Sequence, residues 1–343
     1  MKIAHFAAFA PHGAGQYETV RDLIKAERIV GIEAEFVDYA FQGKMENRVG
    51  LQDGHITTVG LDYAKEADVL FRHSAIPPKV EKETGKPVVL CLHGRPESTW
   101  RIGFGGEGKL IETIIQSSKK PNYKEFITFW EPFVFYWQNI IPAREVRYIP
   151  TPVDLMRYNP VGGRHKFHET GEPNIVIADL WRLDDSPFNV IFAVEKFRQK
   201  YCNKAKLHIY GLPKEEHRAF LAKLRADGLF GDFFSPVAGL SSVYRAADLV
   251  VTPHIIATRV VREALASGCP LVGGEGNPYT EFQANAKDID AYAAMINKAW
   301  VQTKDCRDEY GRLMRRRATN SFNLQQTGEA IKKLIEGKIL NAN

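Results

Sequence analysis

Two neighbouring segments, Ala-Asp-Leu-Val-Val-Thr-Pro at residues 247–253 and Arg-Val-Val-Arg-Glu-Ala-Leu-Ala-Ser-Gly-Cys-Pro-Leu-Val-Gly-Gly at residues 259–274, decide the fold class of this chain. The first segment contains a short apolar run, as expected of a strand that is buried on both faces. The second segment repeats apolar residues at helical spacing, reaches Gly268, and continues into another apolar run. The order strand, loop, helix, glycine, strand predicts a βαβ unit of a parallel sheet.

The loop between these segments leads into a helix N-terminus. Ligands of open α/β sheets bind beyond the carboxyl ends of the strands, and the free amides of a helix N-terminus suit a diphosphate. Thr258 and Arg259 stand where this helix starts, and Glu263 follows after about one turn. A carboxylate at that position can accept hydrogen bonds from both hydroxyls of a ribose. We therefore expect these three residues to bind a nucleotide.

The same alternation of apolar runs and helical stretches extends over the rest of the chain. The candidate strands are 2–9, 34–39, 68–71, 88–92, 126–130 and 146–149 in the first half, and 175–178, 207–210, 249–252 and 271–273 in the second. Gln52-Asp53-Gly54 indicates a hairpin between the runs at 48–51 and 55–59. The pattern as a whole predicts an α/β protein whose sheets are mainly parallel.

A segment rich in Pro, Gly and polar residues interrupts this alternation between residues 149 and 171. Segments of this composition commonly connect domains, and 343 residues are more than one hydrophobic core usually organises. We therefore predict two Rossmann-like domains, at residues 1–155 and 156–321. The last segment, 322–343, is expected to form a helix that returns to the first domain.

The composition excludes several classes of protein. The chain is 44% hydrophobic and 25% charged, which is ordinary for a globular protein. No apolar run approaches the ~20 residues that cross a bilayer, so no transmembrane segment is expected. The four cysteines form no Cys-x-x-Cys pair, which favours a reducing compartment, and we expect a cytoplasmic protein. The net charge of +5 is compatible with an anionic partner or with mild surface basicity alone.

The segments 247–253 and 259–274 resemble the donor site of retaining glycosyltransferases of the GT-B fold. The resemblance is to the family 4-like group of bacterial and viral enzymes, which act on UDP- and GDP-sugars. The residues that carry the resemblance are Tyr244, Ala247, Asp248, Pro253, Glu263, Ala264, Ala266, Gly268, Pro270, Leu271 and Val272. The resemblance implies two Rossmann-like domains whose sheets face each other across a cleft. It also implies a nucleoside diphosphate sugar as donor, held in that cleft, with no cofactor and no metal.

Weaker matches follow in chain order and supply further donor-site candidates. Gly13 and Gly15 come after the first strand and resemble the family's glycine loop near the donor phosphates. Arg182 resembles the arginine that follows the first strand of the second domain, although it could also be a solvated residue. Tyr210 and Gly211 resemble the strand–glycine element beside the nucleotide.

Two departures from the family pattern leave parts of the interpretation open. The family has a second, sugar-contacting glutamate upstream of the one that matches Glu263, and counting back without gaps reaches Ile255. The identity of the sugar is therefore open. The family's lysine after the position of Arg182 is also missing, and Arg259 could supply its charge. The alternative for Glu263 is a simple pair with Arg259 on an exposed helix face.

Two histidines are candidates for the acceptor side. His93 is the first polar residue after the apolar run at 88–92, and Gly94 next to it would let a substrate approach closely. His93 also resembles the histidine that ends a strand in the family, so we assign it, with Glu263, to the catalytic residues. His73 stands at the end of another strand. His93 could instead be satisfied by nearby backbone groups.

Three other features have simpler explanations than a site. Asp288-Ile289-Asp290 matches the Asp-x-Asp of metal-dependent glycosyltransferases of another fold, but it precedes a helical pattern and is better explained by N-capping. His165 and His168 have a spacing that a metal tolerates, without further ligands, and we assign no metal. The aromatic segment 126–137 is expected to belong mostly to the core, while part of it could form an acceptor platform.

The resemblance implies a glycosyltransferase that moves a sugar from a nucleoside diphosphate sugar, most simply a UDP-sugar, to an acceptor hydroxyl with retention of configuration. Two alternatives stay open, a degenerate sugar-nucleotide-binding subunit and a nucleotide-sugar epimerase. The acceptor is unidentified. A glycan, a lipid-linked molecule and a small molecule are candidates, and a modified base in DNA would also suit the basic charge.

Overall fold

The computed structural model describes residues 1–10, 15–41, 44–101, 108–179, 187–211, 215–235, 237 and 239–340. The chain divides into two compact units. The N-terminal unit comprises Met1–Pro152 together with Phe322–Asn343, and the C-terminal unit comprises Val153–Ser321. The sequence places the domain boundary between residues 155 and 156, close to this division.

The N-terminal unit is built on a sheet with the strand order β3-β2-β1-β4-β5-β6-β7. Its strands are β1 (Lys2–Ala7), β2 (Glu33–Phe41), β3 (Lys44–Arg48), β4 (Val69–Arg72), β5 (Val88–Leu92), β6 (Tyr123–Thr128) and β7 (Val146–Tyr148). All neighbouring strands are parallel except β2 and β3, which are antiparallel. The strand order reverses between β1 and β4, so this is the topological switch point of a Rossmann-like sheet.

Helices connect these strands and bury them on both faces. They are α1 (Gly15–Ile29), α2 (Leu61–Glu66), α3 (Pro78–Thr84), α4 (Pro96–Arg101), α5 (Lys109–Ser118) and α6 (Pro132–Ile140). Strand β5 is buried along its whole length, as its continuous apolar sequence predicts. In the aromatic segment, Phe126, Phe129, Phe133 and Trp137 belong to the core, whereas Phe135 is 72% exposed.

The C-terminal unit is built on an entirely parallel sheet with the order β10-β9-β8-β11-β12-β13 within the described residues. Its strands are β8 (Asn174–Ile177), β9 (Lys206–Ile209), β10 (Phe230–Phe233), β11 (Leu249–Val251), β12 (Leu271–Gly274) and β13 (Phe282–Ala284). Its helices are α7 (Phe188–Lys200), α8 (Glu215–Phe220), α9 (Ala222–Ala226), α10 (Leu240–Ala246), α11 (Arg259–Ala266), α12 (Ile289–Thr303) and α13 (Arg307–Ser321). The order again reverses beside β8, here between β8 and β11.

The last helix, α14 (Leu324–Ile335), packs against α1 in the N-terminal unit. Ile331 and Ile335 join the core of that unit, and the Asn323 side chain caps the helix by accepting from the amide of Gln325. Gly328 permits the close approach, because a Cβ there would lie 2.2 Å from the carbonyl oxygen of Ala26. A short π-helical segment, Glu336–Leu340, follows. Across the part of the chain that the structure describes, no helix is both long and apolar enough to cross a membrane.

The strands that the sequence does not predict, β3, β10 and β13, all lie at sheet edges. Their sequences are Lys-Met-Glu-Asn-Arg, Phe-Gly-Asp-Phe and Phe-Gln-Ala. An edge strand is covered less completely than a central one, so it lacks the continuous apolar run that marks a buried strand. The predicted hairpin at 52–54 is present as a short antiparallel turn, with a bridge between Gln52 and Thr57 and backbone hydrogen bonds between Thr58 and residues 50 and 51. Strand β3 pairs with β2.

Candidate active site

The loop after β11 leads into α11, as the sequence of residues 247–274 predicts. Thr258 is the N-cap of this helix, but its side chain does not bond the amides of the first turn. Its Oγ1 is buried and has no hydrogen-bond partner among the described residues. The first turn carries no acidic side chain either. The positive end of the helix dipole is therefore not neutralised by a nearby carboxylate, which favours an anion there.

Glu263 lies one turn into α11 and is only 2% exposed. Its Oε1 accepts a hydrogen bond from Nε of Arg259, and the Tyr244 hydroxyl lies 3.4 Å from Oε2. Nη2 of Arg259 lies 3.5 Å from the hydroxyl of Tyr158. The structure thus brings Arg259 and Glu263 together, yet on a buried face of the helix and not on the exposed face that the simpler alternative requires.

Two buried tyrosines lie beside the pair of Arg259 and Glu263. Tyr158 and Tyr244 are both fully buried, with ring centroids 6.5 Å apart. Burial, reinforced by the negative charge of Glu263, raises the pKa of both hydroxyls. Both tyrosines therefore keep their protons at neutral pH, and the hydroxyl of Tyr244 can donate to the carboxylate of Glu263.

Arg315 of α13 holds the segment that carries Tyr158, and the sequence does not point to it. Its Nη1 donates to the carbonyl of Ala266, at the C-terminal end of α11, at 2.8 Å, and its Nη2 donates to the carbonyl of Leu155 at 2.8 Å. Nη1 also donates to the carbonyl of Tyr158 at 2.5 Å. One guanidinium thus fixes both α11 and the segment 155–158 beside it.

Asp179 is a further polar residue at this edge of the sheet, where it follows β8. It is 3% exposed, and its Oδ1 lies 3.1 Å from Nε2 of His254, in the loop after β11. Despite this proximity, neither oxygen of Asp179 has a hydrogen-bond partner of suitable geometry within the described ranges. The loop is held by Gly274 at the end of β12, whose amide donates to the carbonyl of His254 at 3.0 Å. The rule that polar residues follow buried strands would have identified Asp179, which directly follows the predicted strand 175–178.

Tyr210 and Gly211 follow β9, and the hydroxyl of Tyr210 is bonded within the protein. It donates to Oδ2 of Asp232 at 2.5 Å, and Nε2 of His165 lies 2.9 Å from the same oxygen. Burial, followed by the hydrogen bond to Asp232, raises the pKa of Tyr210. The contact of His165 with Asp232 attaches the segment around residue 165 to β10 within the C-terminal unit. The backbone amide of His168 donates to Oδ1 of Asp232 at 2.8 Å.

The structure describes only some of the remaining donor-site candidates. Gly15 is the first residue of α1. Gly13 and Arg182 lie outside the described residues. Asp288 caps α12 by accepting from the amide of Ala291 at 2.9 Å, which confirms the N-cap interpretation of the Asp-x-Asp motif. Among the residues that the structure describes, no three or more His, Cys, Asp or Glu side chains are grouped as metal ligands would be.

In the N-terminal unit, both predicted histidines lie at carboxyl ends of neighbouring strands and contact each other. Nδ1 of His73, after β4, lies 2.9 Å from Nε2 of His93, after β5. His93 is half-buried, whereas His73 is only 7% exposed. Gly94 has φ of 85°, so glycine is required here by the turn after β5. The turn therefore explains why residue 94 is a glycine, whereas the sequence-based prediction explained it by the close approach of a substrate.

The contact continues inward to two residues that the sequence does not single out. Nε2 of His73 lies 3.0 Å from Nδ1 of His5, and Nε2 of His5 lies 2.7 Å from Oε2 of Glu27. His5 sits in the middle of β1, where a histidine reads as part of an apolar run. Burial lowers the pKa of His93 to about 3. Burial, with repulsion from His93 and His5, holds the pKa of His73 well below its usual value.

No family model and no curated protein matches the sequence. Solved structures do match over the whole chain. Anabaena HepE, in complex with UDP and glucose, is 14% identical, with a TM-score of 0.71 over 98% of this chain and 99% of that one. The pneumococcal O-GlcNAc transferase GtfA, in complex with UDP and GlcNAc, is 11% identical, with a TM-score of 0.69 over 98% and 99%. A glycosyltransferase from Rickettsia africae is 12% identical, with a TM-score of 0.67 over 100% and 99%.

Identities this low carry the fold, and the fold agrees with the sheets described above. Both units are α/β, each with a mainly parallel sheet. The chain therefore has the GT-B fold of glycosyltransferases, as its sequence predicts.

Proposed function

We propose that this protein is a glycosyltransferase that moves a sugar from a UDP-sugar to an acceptor hydroxyl with retention of configuration. In this reaction the bond between C1 of the sugar and the diphosphate oxygen breaks, and the diphosphate leaves with the electron pair. The acceptor oxygen forms the new bond to C1 and gives its proton to the leaving diphosphate, which carries the new negative charge. Two of the similar structures contain UDP together with a sugar, which supports this class of donor.

The observation that carries the proposal is the position of Glu263. A carboxylate that is 2% exposed is costly unless it is paired, and here Arg259 and Tyr244 contact it. We propose that on donor binding the carboxylate accepts hydrogen bonds from the ribose diol of UDP, while Arg259 turns toward the diphosphate. The guanidinium is suited to this exchange because its side chain is 29% exposed, compared with 3% for that of Glu263.

The developing charge on the leaving diphosphate needs compensation. The first turn of α11 offers amides that neither Thr258 nor an acidic side chain satisfies, and Arg259 stands at its start. Preorganised donors and cations of this kind stabilise a leaving group without a metal ion. We propose that Arg182 contributes a second charge and that no metal is required. Gly13, Gly15, Tyr210 and Gly211 are proposed to complete the donor site by their place in the family pattern.

The acceptor side is proposed to lie in the N-terminal unit, at His93 and His73. Both residues follow strands at the carboxyl edge of a parallel sheet, which is where such sheets bind ligands. The low pKa of His93 means that its ring is neutral at neutral pH and can accept a hydrogen bond from a hydroxyl. The acceptor itself is not specified by these residues.

A binding assay and a consumption assay together test the proposal. The full chain is titrated with UDP by calorimetry and then incubated with a panel of UDP- and GDP-sugars, with release of the nucleoside diphosphate as the readout. We expect UDP binding and slow donor hydrolysis. The variant Glu263→Gln should weaken UDP binding and slow donor hydrolysis, and Glu309→Gln, an exposed carboxylate on α13, should change neither. Tight UDP binding without consumption of any donor would indicate a binding subunit and contradict the enzymatic proposal.

A further inference from the structure

The two strands at the switch point of the C-terminal sheet are each followed by a polar residue. Strands β8 and β11 are hydrogen-bonded neighbours, with Ile175 opposite Leu249. Asp179 comes two residues after β8, and His254 comes three residues after β11. Beyond the strand ends the two side chains meet, and Nε2 of His254 lies 3.1 Å from Oδ1 of Asp179. Open α/β sheets bind their ligands in the crevice at this point, so the pair stands where a ligand is expected.

Asp179 is buried without a hydrogen-bond partner. Its side chain is 1% exposed, and among the described residues no donor of suitable geometry reaches either carboxyl oxygen. A buried polar group without a partner carries the full cost of its desolvation, and few such groups occur in folded proteins. A rotation of the His254 ring would bring its Nε2 into line with one oxygen and would leave the other without a donor. The second oxygen therefore points to a donor on a bound molecule.

A structural role does not explain this carboxyl group. The loop after β11 is held without it, because the carbonyl of His254 accepts from the amide of Gly274 at 3.0 Å and from Nδ2 of Asn277 at 2.9 Å. A side chain that fixed the loop would bond to its backbone, whereas the oxygens of Asp179 bond to none of the described residues. The carboxyl group is thus buried at a cost that no bond within the described ranges offsets.

The loop after β11 connects this carboxyl group to the proposed diphosphate site. His254 lies near its start, and Thr258, the N-cap of α11, lies at its end with a buried Oγ1 that also has no partner in the described part of the chain. The residues between them, 255–257, are apolar. Glu263, the proposed ribose contact, lies one turn into α11. The order along this stretch is therefore ribose, diphosphate and then Asp179, and the group that follows ribose and diphosphate in a nucleotide sugar is the sugar.

We propose that Asp179 binds a hydroxyl group of the transferred sugar and thereby contributes to the choice of donor. A sugar hydroxyl both donates and accepts, so it pairs with a carboxyl group in either protonation state. His254 is the more exposed member of the pair, with 15% of its side chain exposed. Its ring turns as the sugar enters and donates to one carboxyl oxygen, and the hydroxyl group bonds to the other. This inference rests on the proposed function and involves no covalent step.

The variant Asp179→Ala tests this role by calorimetry on the full chain. The affinity for a UDP-sugar divided by the affinity for UDP, here called the sugar ratio, reports contacts with the sugar alone. UDP-glucose, UDP-galactose and UDP-N-acetylglucosamine are titrated within a time that is short compared with donor hydrolysis. For the donor that wild type binds best, we expect Asp179→Ala to lower the sugar ratio about 10-fold, the scale of one buried hydrogen bond, and to leave UDP affinity unchanged. Asp227→Ala, which removes an exposed carboxyl group of the same unit that pairs with Lys223, should change neither.

Monodeoxy analogues of that donor, each lacking one ring hydroxyl group, identify the hydrogen bond itself. One analogue should bind wild type about 10-fold more weakly than the parent donor does. The same analogue should bind Asp179→Ala as tightly as the parent donor, because the substitution has already removed the same hydrogen bond. Fully additive losses, or an unchanged sugar ratio in a folded Asp179→Ala protein, overturn the inference. Equal affinity of wild type for the parent donor and every analogue overturns it without any variant.

These outcomes are distinguishable from those of the proposed function. A wild-type protein that binds UDP-sugars and consumes none contradicts the transfer reaction, and the sugar ratio of Asp179→Ala still decides the role of Asp179. A wild-type protein that consumes a donor, together with a variant that keeps its sugar ratio, supports the transfer reaction and overturns the inference. A wild-type protein that binds neither UDP nor any UDP-sugar overturns both.

Discussion

Arg259 and Glu263 form an ion pair across one turn of α11, with the arginine partly in solvent and the carboxylate almost completely buried. The arginine precedes the glutamate in the chain, and this orientation gives the weaker ion pair on an exposed helix. Its burial against Tyr244 makes a purely surface role for Glu263 inconsistent with the structure. A buried carboxylate with one exchangeable partner is prepared to bind hydroxyl groups when that partner moves.

The variant Glu263→Gln should bind UDP more weakly while remaining folded. The amide keeps the volume of the carboxylate but loses its charge, so the hydrogen bonds to the ribose become neutral. The expected loss is about 1.5–3 kcal/mol of binding free energy, measured by calorimetric titration with UDP. The control is Glu309→Gln on α13. An unchanged affinity in a folded Glu263→Gln protein would remove this residue from the donor site.

Donor consumption should persist in the presence of EDTA, and Arg259→Gln should abolish most of it. The positive end of α11 and Arg259 are proposed to stabilise the leaving diphosphate in place of a metal ion. The rate is measured with and without chelator, and again after adding Mg²⁺ or Mn²⁺. Reversible and complete loss of activity in EDTA contradicts the metal-free mechanism. Unimpaired activity of Arg259→Gln contradicts the role of the arginine.

Replacing His93 by Ala should separate turnover from nucleotide binding. His93 belongs to the N-terminal unit, whereas the proposed nucleotide contacts at Arg259 and Glu263 belong to the C-terminal unit. We expect turnover to fall by about 10²-fold, the scale of one positioned catalytic group, while UDP affinity changes by no more than a few-fold. Donor consumption and UDP titration are measured on the same preparation. Turnover close to wild type would place the acceptor site elsewhere.

The stability of the N-terminal unit should decrease as the pH falls below the ordinary pKa of histidine. Burial lowers the pKa of His93 from 6.5 to about 3 in the folded chain. Below pH 6.5 the imidazole of His93 is protonated in the unfolded chain, but in the folded chain it stays neutral until about pH 3. The free energy of unfolding therefore falls between these two pH values.

The variant His93→Gln removes this titrating group. Its unfolding midpoint in urea should therefore change less than that of wild type between about pH 7 and about pH 5. His55→Gln, an exposed histidine of the same unit, serves as the control and should leave the wild-type difference unchanged. Equal pH dependence of His93→Gln and wild type would show that His93 does not titrate as described.

The sequence predicts the central strands of both sheets because these are buried on both faces and hence continuously apolar. Strand β5, for example, has the predicted bounds. Three of the four edge strands, β3, β10 and β13, lack this signal and are missed, whereas the edge strand β7 is predicted. The residues of the candidate site also differ in how clearly the sequence indicates them. His93 directly follows the buried strand β5, and Glu263 lies one turn into the helix after β11, so both could be identified from these positions.

His5 and Glu27 could not be identified in this way. His5 occupies a position in β1 that pattern analysis assigns to the core, and Glu27 lies on a helix where a charged residue is usually solvated. Only the register of β1 against β4, which sets His5 beside Phe71, and the packing of α1 over the sheet reveal that the two side chains meet. Contacts between residues that are distant in sequence leave no periodic signal in a single chain.

The most direct test of the proposed activity follows an α-configured UDP-sugar by proton NMR during incubation with the purified full chain. We predict release of UDP and, in the absence of an acceptor, a free sugar that first appears as the α anomer, since a retaining enzyme transfers the sugar to water on the same face. A first product in the β configuration would contradict retention. Conversion of the donor into an isomeric UDP-sugar without UDP release would identify an epimerase, and an unchanged donor across the whole panel would contradict the account.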